Sequence, residues 1–320
     1  MIQSIVLLLA VLLAVGLILW LATAQVIAQS ILGPPRMTDG KAVYVLKRLS
    51  PGDLGLPFAE QRFEVRDSAR PTGPPIELAA WWIPAEHTSD RCVVLIHGYA
   101  DAKVGSIAWA PMWHGLGFNI LAIDLRAHGE SGGRDCTAGF YERHDLNELL
   151  DRLRSLRSAE TRELVLFGVS MGAAVALATA AMRDDLMAVV IDSPFADYRA
   201  ALRRHLDRLG LPPGITATLA IWLAQVISGT NFASVRPVMI LREVGCPVML
   251  IRGEAEEFLT AAECKAFDDV MLQRGDRFHH ANREASWVVP GVGHLGALRA
   301  DAVGYSNRVS DFLARCGAKV

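Results

Sequence analysis

Gly168-Val169-Ser170-Met171-Gly172 sets a serine hydroxyl between two glycines, directly after the apolar run at 164–167 and before a small-residue stretch ending at Met182. Strand, G-x-S-x-G, helix is the context in which this motif carries chemistry. The serine then sits on a strained bend at the C-terminal end of a buried strand, and glycine has no Cβ to clash there. The backbone N–H groups that follow, led by that of Met171, open a helix and can stabilise negative charge. The chemistry on offer is attack by the Ser170 hydroxyl on an electrophilic centre. Alone, the motif is equally compatible with a glycine-rich turn holding an incidental serine, so its surroundings decide.

Those surroundings read as alternating strands and helices. Residues 92–96 (CVVLI), 118–124 (FNILAID), 186–191 and 248–251 are continuous apolar runs of the kind buried on both faces of a parallel sheet, and 287–289 is a last short strand. Helices are predicted at 104–116, 141–157, 261–273 and 302–313; in the second, Leu146, Leu149, Leu150, Leu153 and Leu156 recur at helical spacing. Residues 62–67 and 77–83, separated by the turn-rich SARPTGPP, read as an antiparallel hairpin. Within it, Trp81-Trp82 is expected to serve packing. Residues 193–245 interrupt the alternation with two helix-like stretches, 200–209 and 215–227, around Pro212-Pro213. They read as a helical cap inserted above a sheet edge.

Strands alternating with helices imply a mostly parallel sheet covered on both faces. Ligands of such sheets bind beyond the carboxyl ends of the strands. Tyr99, Ser170, the carboxylate cluster at 254–257 and His294 each fall at one of those ends.

Residues 5–24 (IVLLLAVLLAVGLILWLATA) are long and apolar enough to cross a hydrocarbon core of roughly 30 Å as a helix. Ala22-Thr23-Ala24 resembles a signal-peptide cleavage site, which makes a cleaved signal the rival reading. No charged residue precedes Arg36, however, and the apolar run exceeds the usual length of about 7–15 residues, which favours a retained anchor. Arg36, Lys41, Lys47 and Arg48 follow the span, so the positive-inside rule leans towards a cytoplasmic domain. Gly33-Pro34-Pro35 breaks the helix. The expected organisation is an anchor with its breaker at 1–35, a linker or covering segment at 36–60, with a short strand or helix around 42–49, and the body at 61–320.

Composition excludes little else. The formal net charge of −2 over 320 residues, without long like-charge blocks, gives no reason to expect a nucleic-acid partner. Five cysteines without C-x-x-C or Cys/His spacing predict neither a disulfide framework nor a metal site, and no cofactor is expected.

With these motifs in order, the chain resembles the α/β-hydrolase superfamily over roughly residues 60–315. His97-Gly98-Tyr99, the stretch Asp124-Leu125-Arg126-Ala127-His128-Gly129-Glu130-Ser131, and Asp192-Ser193-Pro194-Phe195 look most like bacterial serine aminopeptidase-like hydrolases. Several of those carry an N-terminal membrane segment. The resemblance implies that Ser170 is the nucleophile, that His294 in Gly291-Val292-Gly293-His294 is its base, and that the backbone N–H groups of Tyr99 and Met171 form the oxyanion hole. It implies an acid at Glu256, where Arg252-Gly253-Glu254-Ala255-Glu256 departs from the family's H-G-x-x-D. Asp192, Glu254 and Glu257 are the alternative acids. It also makes His128 a structural residue of its loop and His97 a packing and hydrogen-bonding one. His87, His114, His205 and His279-His280 are expected on the surface.

The function expected is a membrane-anchored serine hydrolase cleaving an ester, thioester or amide through an acyl-Ser170 intermediate. Its expected partners are a small acyl substrate of lipid-like character and the membrane itself. The departures at Arg252 and Glu256 motivate one alternative, a hydrolase-fold interaction protein whose activity has decayed. Acyl transfer to an acceptor other than water is another.

Overall fold

A computed structural model describes residues 2–210, 214–278 and 285–317. The chain opens with α1, Ile2–Leu32, whose 31 residues reach about 46 Å at 1.5 Å per residue. It is the only helix among the described residues long and apolar enough to cross a membrane, with a mean hydropathy of 3.1 over its most apolar window. Its N-terminal residues are exposed, whereas Ala24, Ile27, Ala28, Ile31 and Leu32 are buried at helical spacing on one face. The Gly-Pro-Pro breaker ends it, since proline supplies no N–H to continue the ladder. Helix α2, Asp39–Leu46, follows, capped by Thr38.

Strands β1, Ala59–Val65, and β2, Ile76–Ile83, form the antiparallel hairpin. Strand β3, Arg91–Ile96, leads to two short helices, α3 at Lys103–Ser106 and α4 at Ala110–Gly115, joined by a 3₁₀ turn at 107–109. The single helix expected over 104–116 is thus broken. Pro111 favours a helix start but cannot donate within a continuing one. Strand β4, Asn119–Ile123, and helix α5, Glu142–Leu156, come next; α5 buries Leu146, Leu149, Leu150 and Leu153 but leaves Leu156 exposed at its last turn.

Strand β5, Glu163–Val169, turns into α6, Met171–Ala180, and β6, Ala188–Asp192, follows. Between β6 and the next strand lie α7, Tyr198–Arg208, α8, Ile215–Ser228, and α9, Pro237–Ile240. Pro212-Pro213 and His279-His280 lie outside the described residues. Strand β7, Val248–Gly253, helix α10, Ala261–Phe278, strand β8, Ser286–Val289, and helices α11, Ala297–Ala300, and α12, Ala302–Arg315, complete the described chain.

The strands form one sheet in the order β1-β2-β4-β3-β5-β6-β7-β8. Both pairings of β2 are antiparallel, and every pairing from β4 to β8 is parallel. The central register sets Ile96 opposite Gly168 and Gly168 opposite Ile191, so β3, β5 and β6 end together. Their C-terminal ends open onto one rim.

Helix α1 packs along α8 rather than standing free. At one end Trp20 Nε1 donates to Thr216 Oγ1 at 2.8 Å. At the other, the Leu32 carbonyl accepts from Cys136 N at 2.7 Å and the Ser228 carbonyl from the Tyr141 hydroxyl at 3.0 Å. The two helices therefore run in the same direction, with Trp20 level with Thr216. Their buried residues include Ala24 and Ala28 on one, and Ala217, Ala220 and Ala224 on the other, small enough for close approach.

A buried ion cluster ties α5 to the loop that follows β4. Arg126, fully enclosed, donates to Asp145 of α5 at 2.8 Å through Nη2 and to Asp67 at 3.1 Å, and its guanidinium lies 5.2 Å from the Tyr141 ring. Removing one member of such a cluster strands the buried charges that remain, at a cost of about 3–5 kcal/mol. Arg126→Met is expected to lower unfolding stability by about that amount in urea titrations in detergent micelles. Asp145→Leu added to Arg126→Met should recover part of the loss; equal loss in the double variant would show that the pairing does not set the effect.

Candidate active site

The turn from β5 to α6 is forced by contact at both glycines. A Cβ on Gly168 would lie 2.2 Å from the Gly172 carbonyl oxygen, and one on Gly172 would lie 2.2 Å from that of Ile96. Only glycine lets α6 start this close to β3. Between them Ser170 adopts φ 54° and ψ −116°, a strained conformation for a residue with a side chain, while its N–H donates to the Asp192 carbonyl at 2.8 Å.

His294 arrives from the turn after β8. Its Nε2 lies 3.0 Å from Ser170 Oγ, and its Nδ1 lies 2.8 Å from Glu256 Oε1. A carboxylate can only accept, so Nδ1 carries the proton. Nε2 is then left with its lone pair facing the serine hydroxyl. The Glu256 side chain is fully enclosed, and the same oxygen accepts from Phe258 N at 3.2 Å. The Phe258 ring packs edge-on against the imidazole with centroids 4.7 Å apart.

Each alternative carboxylate has a different partner. Glu254 Oε2 accepts from Gly291 N at 2.9 Å, and Glu257 Oε2 accepts from the backbone N of His294 at 3.2 Å. Both brace the histidine turn. Asp192 accepts from the Tyr305 hydroxyl and from Ser193 Oγ, each at 2.9 Å, and Ser193 Oγ in turn accepts from Leu295 N at 3.1 Å. Arg252 pairs with Asp268 at 2.9 Å, away from the imidazole.

The backbone N–H groups of Tyr99 and Met171 flank Ser170, and neither has an acceptor among the described residues. Two buried histidines hold the loop that carries Tyr99. His97 Nδ1 donates to the Gly98 carbonyl at 2.7 Å, and its Nε2 accepts from Leu125 N at 3.0 Å. His128 Nδ1 donates to the Arg126 carbonyl at 2.8 Å, and its Nε2 accepts from Ala100 N at 3.3 Å. Burial lowers both pKa values, and both roles require the neutral ring. The structural role expected of His128 thus reaches the Tyr99 loop itself. The Tyr99 hydroxyl donates to the Ser30 carbonyl of α1 at 2.8 Å.

Above Ser170 and His294 lies a cavity of about 700 Å³, walled by apolar residues such as Phe195, Leu202 and Leu206 and by Ile27 and Ile31 of α1. Helix α7 also clamps the acid's loop. Arg204 donates to the Phe258 carbonyl at 2.7 Å, and Arg208 donates to that of Glu257 at 2.9 Å while lying 4.5 Å from the Phe258 ring. Sequence reading missed these arginines, whose i, i+4 spacing was the available signal. It also placed His205 and His114 on the surface. His205 is half-buried in the cavity wall, 6.1 Å from the Tyr99 ring, and His114 of α4 is half-buried as well. Among the described residues no group of three His, Cys, Asp or Glu side chains could hold a metal ion.

A mostly parallel eight-stranded sheet with one antiparallel strand near its edge, and a serine at a strained turn after β5, defines the α/β-hydrolase fold, and this chain has that fold. Within it, the model of the family described as Serine aminopeptidase, S33, matches residues 87–244. The uncharacterized protein YqkD of Bacillus subtilis is 28% identical over 179 residues, which make up 55% of this chain and 58% of that protein's length. Among solved structures, the esterase Pf2001 of Pyrococcus furiosus superposes with a TM-score of 0.66 at 23% identity, over 88% of this chain and 98% of that one. A membrane phospholipase A described as a bacterial virulence factor matches over 99% of both chains, with a TM-score of 0.52 at 15% identity.

Two measurements probe this arrangement. Gly172→Ala must push α6 off β3, and overpacking of this kind costs about 1–3 kcal/mol. A lowered melting temperature with a matching loss of serine reactivity is expected, and wild-type values for both would show that the close approach is not needed. Burial raises the Asp192 carboxyl from 3.8 to about 6, against the opposing hydrogen bonds from Tyr305 and Ser193. Folded Asp192 therefore holds its proton more tightly than the unfolded chain does. Its stabilising contribution is full below about pH 4 and is lost as pH rises through about 6. Relative to Asp192→Asn, the wild type should lose about 3 kcal/mol of unfolding stability between about pH 4 and pH 7. A difference independent of pH would contradict the raised pKa.

Proposed function

We propose that the chain is a membrane-anchored serine acyl hydrolase acting on an ester, thioester or amide of an apolar acyl group. The observation that carries this reading is the continuous line Glu256–His294–Ser170, with hydrogen-bond lengths of 2.8 and 3.0 Å, beside two unpartnered amides. His294 Nε2 takes the Ser170 proton as Oγ attacks the carbonyl carbon. The tetrahedral oxyanion is received by the N–H groups of Tyr99 and Met171, each such donor being worth about 10²–10³ in rate. His294 then gives the proton to the leaving group, and water repeats the sequence to release the acid. Glu256 keeps the imidazole in the Nδ1–H tautomer and stabilises its charged form.

The anchor is supported by the length and hydropathy of α1 and by its unbroken course past Ala24 into the body of the protein. The basic residues after it favour a cytoplasmic domain. The apolar cavity supports an acyl group, and the full-length likeness to a membrane phospholipase A agrees with both.

A fluorophosphonate probe should label the wild type and not Ser170→Ala. Glu256→Gln should fold normally and lower kcat on an activated ester by roughly 10³–10⁴ with a small change in KM, because the amide disturbs the tautomer. Absence of labelling in folded wild type would refute the reading.

A further inference from the structure

Helix α1 does more in this structure than a tether requires. Val26, Ile27, Ser30 and Ile31, all in its second half, line the same cavity as Ser170 and His294. Four contacts fix the helix and its exit there: Trp20 to Thr216, the Ser30 carbonyl to the Tyr99 hydroxyl, the Leu32 carbonyl to Cys136 N, and Arg36 Nη1 to the carbonyls of Gly129 and Ser131 at 2.8 and 2.7 Å. One end of the cavity wall is therefore the continuation of an apolar helix whose preceding residues face outwards.

Lengths along the helix locate that wall. The outward-facing part before Ala24 begins at Ile2, and about 20 residues suffice to cross the hydrocarbon core. Trp20 marks its end, where an indole suits the membrane interface. Ser30 lies ten residues on, so the Tyr99 loop stands about 15 Å above the Trp20 level. Ile27 and the cavity occupy the interval.

The exposed residues around this interval are apolar too. Leu209, at the end of α7, lines the cavity yet is 61% exposed. Ile215, next to Thr216 and so level with Trp20, is 75% exposed. Counting forward from the Trp20–Thr216 pair brings Val26 level with Trp222, and both are more than half exposed. An apolar rim this large on a free aqueous surface is unusual. It is continuous with the membrane-crossing face of α1, and a bilayer is the occupant that covers both.

We infer that the second half of α1 is the acyl-binding wall of the catalytic cavity, and that the substrate is a long-chain acyl ester drawn from the bilayer past Leu209 and Val26. The inference rests on the hydrolase reading for the identity of the reacting bond, but not for the binding itself. The acyl chain lies along Ile27 and Ile31, and its carbonyl is brought to Ser170 beneath the Tyr99 loop. The helix that holds the enzyme at the membrane also measures its substrate.

Two experiments on the full chain test this. The first needs no turnover: Ser170→Ala is reconstituted in phosphatidylcholine vesicles doped with phosphatidylcholine bearing a photoreactive group at the end of one acyl chain. Cross-links at Val26–Ile31 and at 202–209 are expected, and cross-links confined to residues 2–21 would overturn the inference. The second uses Ile27→Trp and Ile31→Trp, each of which puts an indole into the cavity. The ratio of kcat/KM for p-nitrophenyl palmitate to that for p-nitrophenyl butyrate should fall about tenfold or more in both. An unchanged ratio would overturn the inference. Failure of the wild type to react with fluorophosphonate would instead remove the hydrolase reading, leaving the cross-linking result to stand or fall separately.

Discussion

The close approach of α6 to the end of β3 is the constraint on which the rest of the site depends. Because Gly172 sits where a Cβ would strike the Ile96 carbonyl, the chain between β5 and α6 has no slack, and Ser170 is held at positive φ. That conformation is unfavourable locally and persists because the sheet register and the bond from Ser170 N to the Asp192 carbonyl over-determine it. The same approach sets the Met171 amide beside the Tyr99 loop. Serine, amide pair and β-strand ends are therefore one rigid unit, and only the histidine and its acid come from elsewhere.

Those two are carried by turns, and the structure compensates with bracing. Glu254 and Glu257 hold the backbone of the histidine turn, Ser193 holds Leu295, and Asp192 with Tyr305 holds Ser193 beneath. Arg204 and Arg208 fasten the acid's loop to α7. The cluster of carboxylates that looks like redundancy in the sequence is a division of labour: one faces the imidazole, and its neighbours fix the backbone that presents it. On the opposite side His97, His128 and the Ser30 carbonyl hold the Tyr99 loop. Helix α1, the inserted helices and the core thus meet at the same cavity.

Much of this was legible in the sequence because it is written in local patterns. Continuous apolar runs gave the parallel strands, leucines at helical spacing gave α5, and two glycines around a serine gave the elbow. The broken helix at 103–115 shows the limit, since Pro111 weighed less in the pattern than the apolar residues around it. The choice of Glu256 over Asp192 shows it again. Both carboxylates end up beneath the same turn, and only the fold reveals that Asp192 is taken up by Tyr305, more than a hundred residues away.

What the sequence determined by itself was the class of fold, the elbow at Ser170 and the presence of an apolar helix long enough to cross a membrane. These follow from steric and solvation preferences that act within a few residues. What only tertiary structure decided was which carboxylate faces His294, why the neighbouring acids are there, and that α1 enters the cavity wall. Those facts rest on contacts between segments with no shared local pattern. Residues 5–24 read as a uniform apolar stretch and Gln25, Gln29 and Ser30 make the rest of α1 more polar, yet that composition does not separate the exposed face from the one that packs on α8. The difference arises only where α8 and the Tyr99 loop meet it.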